Sequence, residues 1–326
     1  MPPPIDYGKL EQRLGRAHVQ QRLSIQVHYA AKAFTHRSTR IHPENMYGAL
    51  TVFAGLLKLT GLYRWGQRNF RNIQTVRNQF SVPHLPAPFN GFTLLQLSDL
   101  HLDIDPGLPE ALIERLKTVP KHDICVITGD YRWKTTGSHE RCMAEMGRIR
   151  KHLHKPVYAI LGNHDFLEMV PVLEQLGIEV LLNETVAVQR SGSTLHLVGT
   201  DDPHFYLLDN LEKATNSITD PEAVKILLTH SPETYKKAAH LGFDVMLCGH
   251  THGGQICLPG GFAPLLNANV PRHLCSGRWK HLDLQGYTSR GTGGSGIPVR
   301  YFCPPEITLH RLVQASQSTD IVSPNE

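Results

Sequence analysis

The stretch DVMLCGHTHGGQ, residues 244–255, carries a mostly apolar run into a glycine, then sets His250 and His252 one residue apart before Gly253 and Gly254. A run this continuously apolar reads as a strand buried on both faces. Two imidazoles on a bend with almost no side-chain bulk serve no packing purpose there. At the carboxyl end of a buried strand they point to metal chemistry. Alone, the pair is modest evidence, because a histidine in a turn is usually a satisfied polar group.

The same arrangement recurs upstream. Apolar runs end in polar clusters at FTLLQL (92–97), DICVIT (123–128), PVYAIL (156–161), LHLVG (195–199) and VKILLT (224–229). Helical stretches between them, over 109–118, 138–152 and 170–176, make the chain an α/β alternation. The polar clusters carry chemical groups: Asp99 and His101 after the first run, Asp130 after the second, Asn163, His164 and Asp165 after the third. His230 ends the fifth, and His250 and His252 come after the sixth. Functional groups in open α/β sheets gather at carboxyl ends of strands, so five strand ends are expected to converge. Asp99, His101, Asp130, Asn163, His230, His250 and His252 mix hard oxygens with imidazoles, a set that takes Mn, Fe or Zn rather than Ca. One ion uses about four to six ligands, so seven with one bridging imply two divalent ions, as in phosphate ester hydrolysis.

Composition frames this reading. A charged fraction of 19% and an apolar fraction of 40% over 326 residues describe a globular protein. The six cysteines form no CxxC pair and are expected to be small buried hydrophobes in a reducing compartment. The N-terminus has no apolar h-region behind a basic start, so no cleaved secretory signal is expected. Charge is lopsided: residues 1–80 hold twelve Lys and Arg against Asp6, Glu11 and Glu44, a balance of +9 within a net +4. A basic arm on a mildly acidic body points to an anionic surface, membrane lipid or nucleic acid.

Two segments of the arm have helical periodicity. Leu10, Leu14, Ala17, Ile25 and Tyr29 recur at helical intervals, and MYGALTVFAGLLKLTGLYRWG starts from Met46. Lys58 cuts the second short of the roughly 20 apolar residues that span a bilayer. Lying flat, it would place Tyr47, Tyr63, Trp65, Arg64 and Arg68 at headgroup level. The alternative is that these helices cover the body or a second subunit. The apolar block at 48–57 suits a bilayer and suits DNA poorly, so no nucleic-acid partner is expected. VPHLPAPFNG (82–91) reads as a domain entry. The expected organisation is a helical basic arm (1–80), a Pro-rich linker (81–91), the body (92–312) and a frayed tail (313–326).

DLH, GD, GNHD, THSP and GHTHGGQ, in this order over residues 92–312, resemble the calcineurin-like metallophosphoesterase superfamily. LVGTDDP (197–203), GHTHGGQICLP (249–259) and above all YTSRGTGGSGIPVRYFCPPEITLHRL (287–312) are similar to its YaeI/YkuE/LpxG-type branch. The resemblance implies a four-layer αββα fold, two sheets packed face to face with helices outside. It implies one ion on Asp99, His101, Asp130 and His252 and a second on Asp130, Asn163, His230 and His250, with manganese first and iron or zinc also accepted. It makes His164 the acid that protonates the leaving oxygen while a hydroxide between the ions attacks phosphorus. The branch implies UDP-2,3-diacylglucosamine hydrolysis in lipid A synthesis, with a broad phosphodiesterase or a phospholipid phosphatase as the alternative. A non-catalytic scaffold is a distant third, since no ligand position is lost. Such an enzyme would be cytoplasmic and peripheral, held by its arm to the inner face of the membrane.

One departure matters. Many superfamily members read GDxxD, the second Asp orienting the catalytic His, whereas GDYRW places Trp133 there. Either another carboxylate such as Asp165 supports His164, or the acid is weaker and suits a phosphate leaving group. Arg290 and Arg300, in the branch-specific stretch, are candidates to contact substrate phosphate or to cap the fold.

Overall fold

The computed structural model describes residues 5–35 and 47–315. All six apolar runs fold as strands. The chain runs α1 (Tyr7–Leu14), α2 (Arg16–Thr35), α3 (Tyr47–Leu59), α4 (Leu62–Arg71), β1 (Gln74–Val82), β2 (Thr93–Leu97), α5 (Leu108–Leu116), β3 (Ile124–Thr128), α6 (Glu140–Arg150), β4 (Val157–Ile160), α7 (Val170–Gln175) and β5 (Glu179–Val180). It continues through β6 (Glu184–Arg190), β7 (Ser193–Gly199), α8 (Leu211–Thr215), β8 (Lys225–Leu228), α9 (Tyr235–His240), β9 (Val245–Cys248), β10 (Gly277–His281), β11 (Leu284–Thr288) and β12 (Glu306–Gln314).

These strands make two sheets, ordered β1-β12-β2-β3-β4-β5 and β10-β11-β9-β8-β7-β6. β2 to β5 are parallel, and so are β11, β9, β8 and β7. Strand side chains alternate in direction, and here both directions are apolar. Leu94, Val126 and Ile160 of the first sheet share a core with Leu197, Ile226 and Leu247 of the second. Leu95, Ile127 and Ala159 face the other way, toward α5, α6 and α7, while Val198, Leu227 and Met246 face α8 and α9. The result is the expected four layers, helix, sheet, sheet, helix. The strands are buried on both faces, which is why they read as continuous apolar runs.

The amino-terminal region departs from expectation. Residues 74–82, read as the end of the arm and the first of the linker, form β1, paired parallel to β12 from Gln74 opposite Glu306 to Val82 opposite Gln314. Phe80, Val82, Leu85 and Phe89 are fully buried between the sheets, so most of the Pro-rich stretch is core rather than tether. β12 likewise continues past 312, the expected end of the body. The arm itself divides. Leu10, Leu14 and Val19 enter the core that covers the first sheet, and Arg13 pairs with Glu184 at 2.7 Å. α1 and α2 therefore cover the body, the alternative reading of the arm. The segment from Tyr47 folds as two helices because Gly61, at φ 75°, breaks it in the left-handed region that glycine tolerates. Among the described residues no helix is long and apolar enough to cross a membrane. Met46 and most of the expected tail lie outside the described residues. All six cysteines are free and buried.

Candidate metal centre

β2, β3 and β4 belong to one sheet and β8 and β9 to the other, yet their carboxyl ends meet at one edge of the sandwich. Backbone and side-chain hydrogen bonds tie the ends together. Asp99 N–H donates to Gly129 O (3.0 Å), His101 N–H to Asp130 O (3.0 Å), and Gly249 N–H to His230 O (2.8 Å). Across the sheets, His250 N–H donates to the Asp99 carboxylate (3.0 and 3.1 Å), and Gln96 Nε2 donates to Cys248 O (3.1 Å).

Seven predicted ligands are brought together, all buried. Asp130 Oδ2 is the hub: His230 Nε2 lies 3.3 Å away, His101 Nε2 3.6 Å and His164 Nε2 3.8 Å. On one side His252 Nε2 is 3.7 Å from Asp99 Oδ1. On the other, Asn163 Oδ1 sits 2.9 Å from His230 Nε2 and 3.0 Å from His250 Nδ1. Donor atoms held about 2.0–2.2 Å from one ion must stand roughly 3–3.5 Å from one another, close to the 2.9–3.7 Å found among these ligand atoms. Five of the seven, Asp99 (φ 51°), His101 (41°), Asp130 (59°), His250 (71°) and His252 (50°), hold left-handed backbone. Each such non-glycine residue costs about 1–2 kcal/mol, a strain that clusters at functional sites. The sharp left-handed bend after β9 thus has a use: it aims His250 and His252 in different directions. The glycines make room, since a Cβ on Gly162 would stand 2.2 Å from Asp130 Oδ1 and one on Gly249 1.9 Å from Ser98 Oγ.

The electrostatics ask for cations. Burial pushes the Asp130 carboxyl up, yet His230, His164 and His101 overrule it and hold Asp130 well below the usual carboxylate range. Burial pushes His230 down, but Asp130, Asp99 and Asp202 lift it to about 10. Burial, with neighbouring positive groups, keeps His250 and His252 neutral and their lone pairs available. His101 donates through Nδ1 to Arg132 O (2.7 Å) and His230 through Nδ1 to Thr128 O (2.8 Å), which aims each Nε2 into the cluster, where a metal would take the place of the His230 proton. His101 Nε2 is buried with no hydrogen-bond partner among the described residues, an arrangement that a bound metal satisfies. The residues fit a pair of divalent ions.

Other expectations resolve differently. Asp165 does not serve His164: its carboxylate accepts the N–H groups of Asp130 (2.7 Å), Tyr131 (2.9 Å) and Gly162 (2.8 Å), bracing the two loops that carry Asp130 and Asn163. Burial and the Asp130 charge push it up to about 6, against the pull of those amides. Arg300 is fully buried and donates to the carbonyls of Gly293 (2.6 Å), Arg290 (2.6 Å), Cys303 (3.2 Å) and His252 (3.3 Å). Arg290 pairs with buried Glu306 through Nε (2.5 Å). Arg300 caps the fold behind His252, and Arg290, partly exposed, is held beside it by Glu306. Three contributors escaped the sequence reading. Asp201, just after β7, is paired with Arg22 of α2 at 2.8 Å, and Arg22 also donates to Asp165 O at 3.1 Å. The His204 ring packs tilted against His250 at 4.1 Å between ring centres, and Asn267 Nδ2 lies 3.4 Å from His250 Nε2. The TDDPH stretch was a signal for the first two, whereas nothing local marks Asn267.

Over the cluster lies a cavity of about 490 Å³. Its floor is Asp130, His164, His250 and His252, and its walls are mostly apolar, with Leu50 and Phe53 from α3 joined by Ile256, Leu265, Leu266 and Ile297.

The profile of the calcineurin-like phosphoesterase family matches residues 92–254. The uncharacterized metallophosphoesterase YkoQ of Bacillus subtilis (strain 168) is 29% identical over 284 residues, spanning 82% of this chain and 100% of that protein. The phosphodiesterase YaeI of Escherichia coli (strain K12) is 28% identical over 239 residues, 68% of this chain and 82% of the relative. The UDP-2,3-diacylglucosamine pyrophosphatase LpxG of Chlamydia trachomatis is 24% identical over 309 residues, 73% and 89%.

Proposed function

The chain belongs to the calcineurin-like phosphoesterase family, a metal-dependent phosphoester hydrolase, and from that premise we propose that it cleaves a phosphodiester or pyrophosphate bond in a membrane lipid such as UDP-2,3-diacylglucosamine. In this reading Asp99, His101, Asp130 and His252 hold one divalent ion and Asp130, Asn163, His230 and His250 the second, with Mn(II) first and Fe or Zn compatible. Two such ions, when bound, supply Lewis acidity and a water acidic enough to act at neutral pH.

The remaining work falls to the chain's own groups. Asp130 Oδ1 accepts the His164 N–H at 2.9 Å, so the loop bearing the acid is fastened to the bridging ligand. The His164 ring lies edge-on to His101, 4.9 Å between centres, and lines the cavity floor. From there it delivers a proton to the departing oxygen. Trp133 stands where many superfamily members carry the orienting Asp, and Asp165 is spent on backbone amides.

One observation carries the lipid reading: apolar walls rise directly from a floor of metal-binding and acid residues. A small hydrophilic ester has no use for such walls, whereas an acyl chain buries itself against them. The activity for which the LpxG relative is named adds support. The test is hydrolysis of UDP-2,3-diacylglucosamine with added Mn(II), beside bis-p-nitrophenyl phosphate. UMP release at a far higher kcat/KM than the artificial ester is expected. Turnover of the artificial ester alone would retain the phosphoesterase and discard this substrate.

A further inference from the structure

α3 carries apolar side chains on both its inner and its outer faces, with Thr51 and Lys58 the polar ones among its described side chains. Its inner positions Leu50, Ala54 and Leu57 pack on Ile297, Val299 and Tyr301, while Val52, Phe53, Leu56 and Leu59 face outward, Leu59 at 86% exposure. A helix whose outer side is mostly apolar wants a partner there. The exposed apolar surface continues beyond it. Leu62 and Trp65 of α4 are exposed, and the Trp65 ring packs at an angle on Tyr301 (5.1 Å) and edge-on to Phe302 (5.7 Å). The loop after β9, closed by Leu258 N–H donating to Phe262 O (2.9 Å), projects Leu258, Phe262 and Leu265, the last at 84% exposure. Leu50, Phe53 and Leu265 also wall the cavity over the metal residues, so the exposed patch surrounds its mouth.

Charge in these segments is one-sided. The chain has no Asp or Glu in 45–98, in 245–282 or in 284–305, the stretches that supply this surface, although it holds 29 acids elsewhere. Lys58, Arg64 and Arg68 are exposed on α3 and α4, and the Arg272 guanidinium lies 4.7 Å over the Phe262 ring. An apolar patch with basic groups and no carboxylates is complementary to an anionic lipid surface. A face meant for a second copy of the chain has no reason to exclude acids.

We propose that α3, α4 and the 258–265 loop form one docking face for an anionic bilayer, with the cavity mouth opening onto the leaflet. An acyl chain then passes from the leaflet into the cavity while its phosphoryl group reaches the metal residues. The proposal rests on the lipid-substrate reading above and adds that the catalytic body itself, through the loop, touches the membrane.

The experiment is flotation of the full chain with vesicles of phosphatidylcholine, with and without phosphatidylglycerol. Binding to the anionic vesicles, weakened by salt, is expected. The pairs Leu56→Glu with Leu59→Glu, and Leu258→Glu with Phe262→Glu, should each lower partitioning at least about tenfold. Turnover of bis-p-nitrophenyl phosphate should stay unchanged in both. On wild-type protein, brominated lipid should quench tryptophan emission, and Trp65→Phe should remove most of that quenching, a readout that does not depend on the charged variants folding. Loop variants that bind vesicles like wild type would overturn the composite face. So would a wild-type chain that ignores anionic vesicles and sediments as a dimer released by the same substitutions. Vesicle binding without hydrolysis of any lipid ester would sink the substrate reading and leave the face standing. Hydrolysis of the lipid in detergent without vesicle binding would do the reverse.

Discussion

Arg22→Met tests how deeply the amino-terminal helices are built into the enzyme. Arg22 is fully buried, 2.8 Å from Asp201 Oδ1, 3.1 Å from Asp165 O and 3.2 Å over the Tyr206 ring. Burial pushes the Asp201 carboxyl up, and Arg22 and His18 together bring it below the usual range. Removing one member of a buried ion pair costs about 3–5 kcal/mol, since the other charge stays desolvated. His18, 2.9 Å from Asp201 Oδ2, remains to share it and favours the lower end, about 3 kcal/mol. For a 326-residue chain, an unfolding entropy of roughly 2.1 cal/mol/K per residue makes 3–5 kcal/mol a fall in Tm of about 4–7 °C. Asp201 has a depressed folded pKa, so its contribution is present above about 3.8 and is lost as pH falls; the deficit should be largest near neutrality. Thermal and urea melts at neutral pH, with Asp201→Asn as the second arm of a cycle, supply the assay. In the Asn background the Arg22→Met loss should shrink by at least about 1 kcal/mol. A melting temperature unchanged by Arg22→Met would refute the reasoning and return α2 to a dispensable arm.

Single contacts set the other outcomes. Gly162→Ala places a Cβ 2.2 Å from Asp130 Oδ1 and 2.7 Å from its backbone N, so Mn(II) affinity by titration should fall about 10–100-fold; wild-type affinity would show that the loop yields. His164→Ala should keep its metal content and lower kcat about 10²–10⁴-fold, with the deficit shrinking for more acidic leaving groups. Loss of metal in that variant would contradict its role as acid. His310 is neutral in the fold, held down to about 3 by burial, with Asn78 Nδ2 at 3.0 Å and Gln96 Oε1 at 2.9 Å. The unfolded chain takes up that proton first, so stability is lost as pH falls below about 6.5, by about 2 kcal/mol at pH 5. Urea melts of His310→Gln should lack that increment, and an equal pH slope in both proteins would contradict it.

The centre was legible because each ligand comes after a run that burial on two faces keeps continuously apolar, and the turn after such a run is conspicuous. The features that stayed hidden obey other physics. β1 has period-two side chains at Val76, Asn78, Phe80 and Val82, but its polar member and its place behind a basic stretch disguise a strand whose inward face ends in the core. α2 defeats apolar periodicity because its buried face is Val19, Arg22 and Gln26, with Gln26 accepting the Leu167 N–H at 3.0 Å, while Ala17 is exposed. Asp165 stands beside His164 in sequence, yet three backbone donors claim its carboxylate. Arg300 looks like a phosphate contact until its carbonyl partners appear. The cavity walls join residues near 50 to residues near 265, a pairing that no local pattern announces.

Metal stoichiometry tests the central claim most directly. Protein loaded with Mn(II), freed of excess metal and measured by elemental analysis should hold two ions per chain, and Asp130→Asn should lose both together with hydrolysis of bis-p-nitrophenyl phosphate. A single ion in wild type, or two ions retained by Asp130→Asn, would contradict a centre bridged by Asp130.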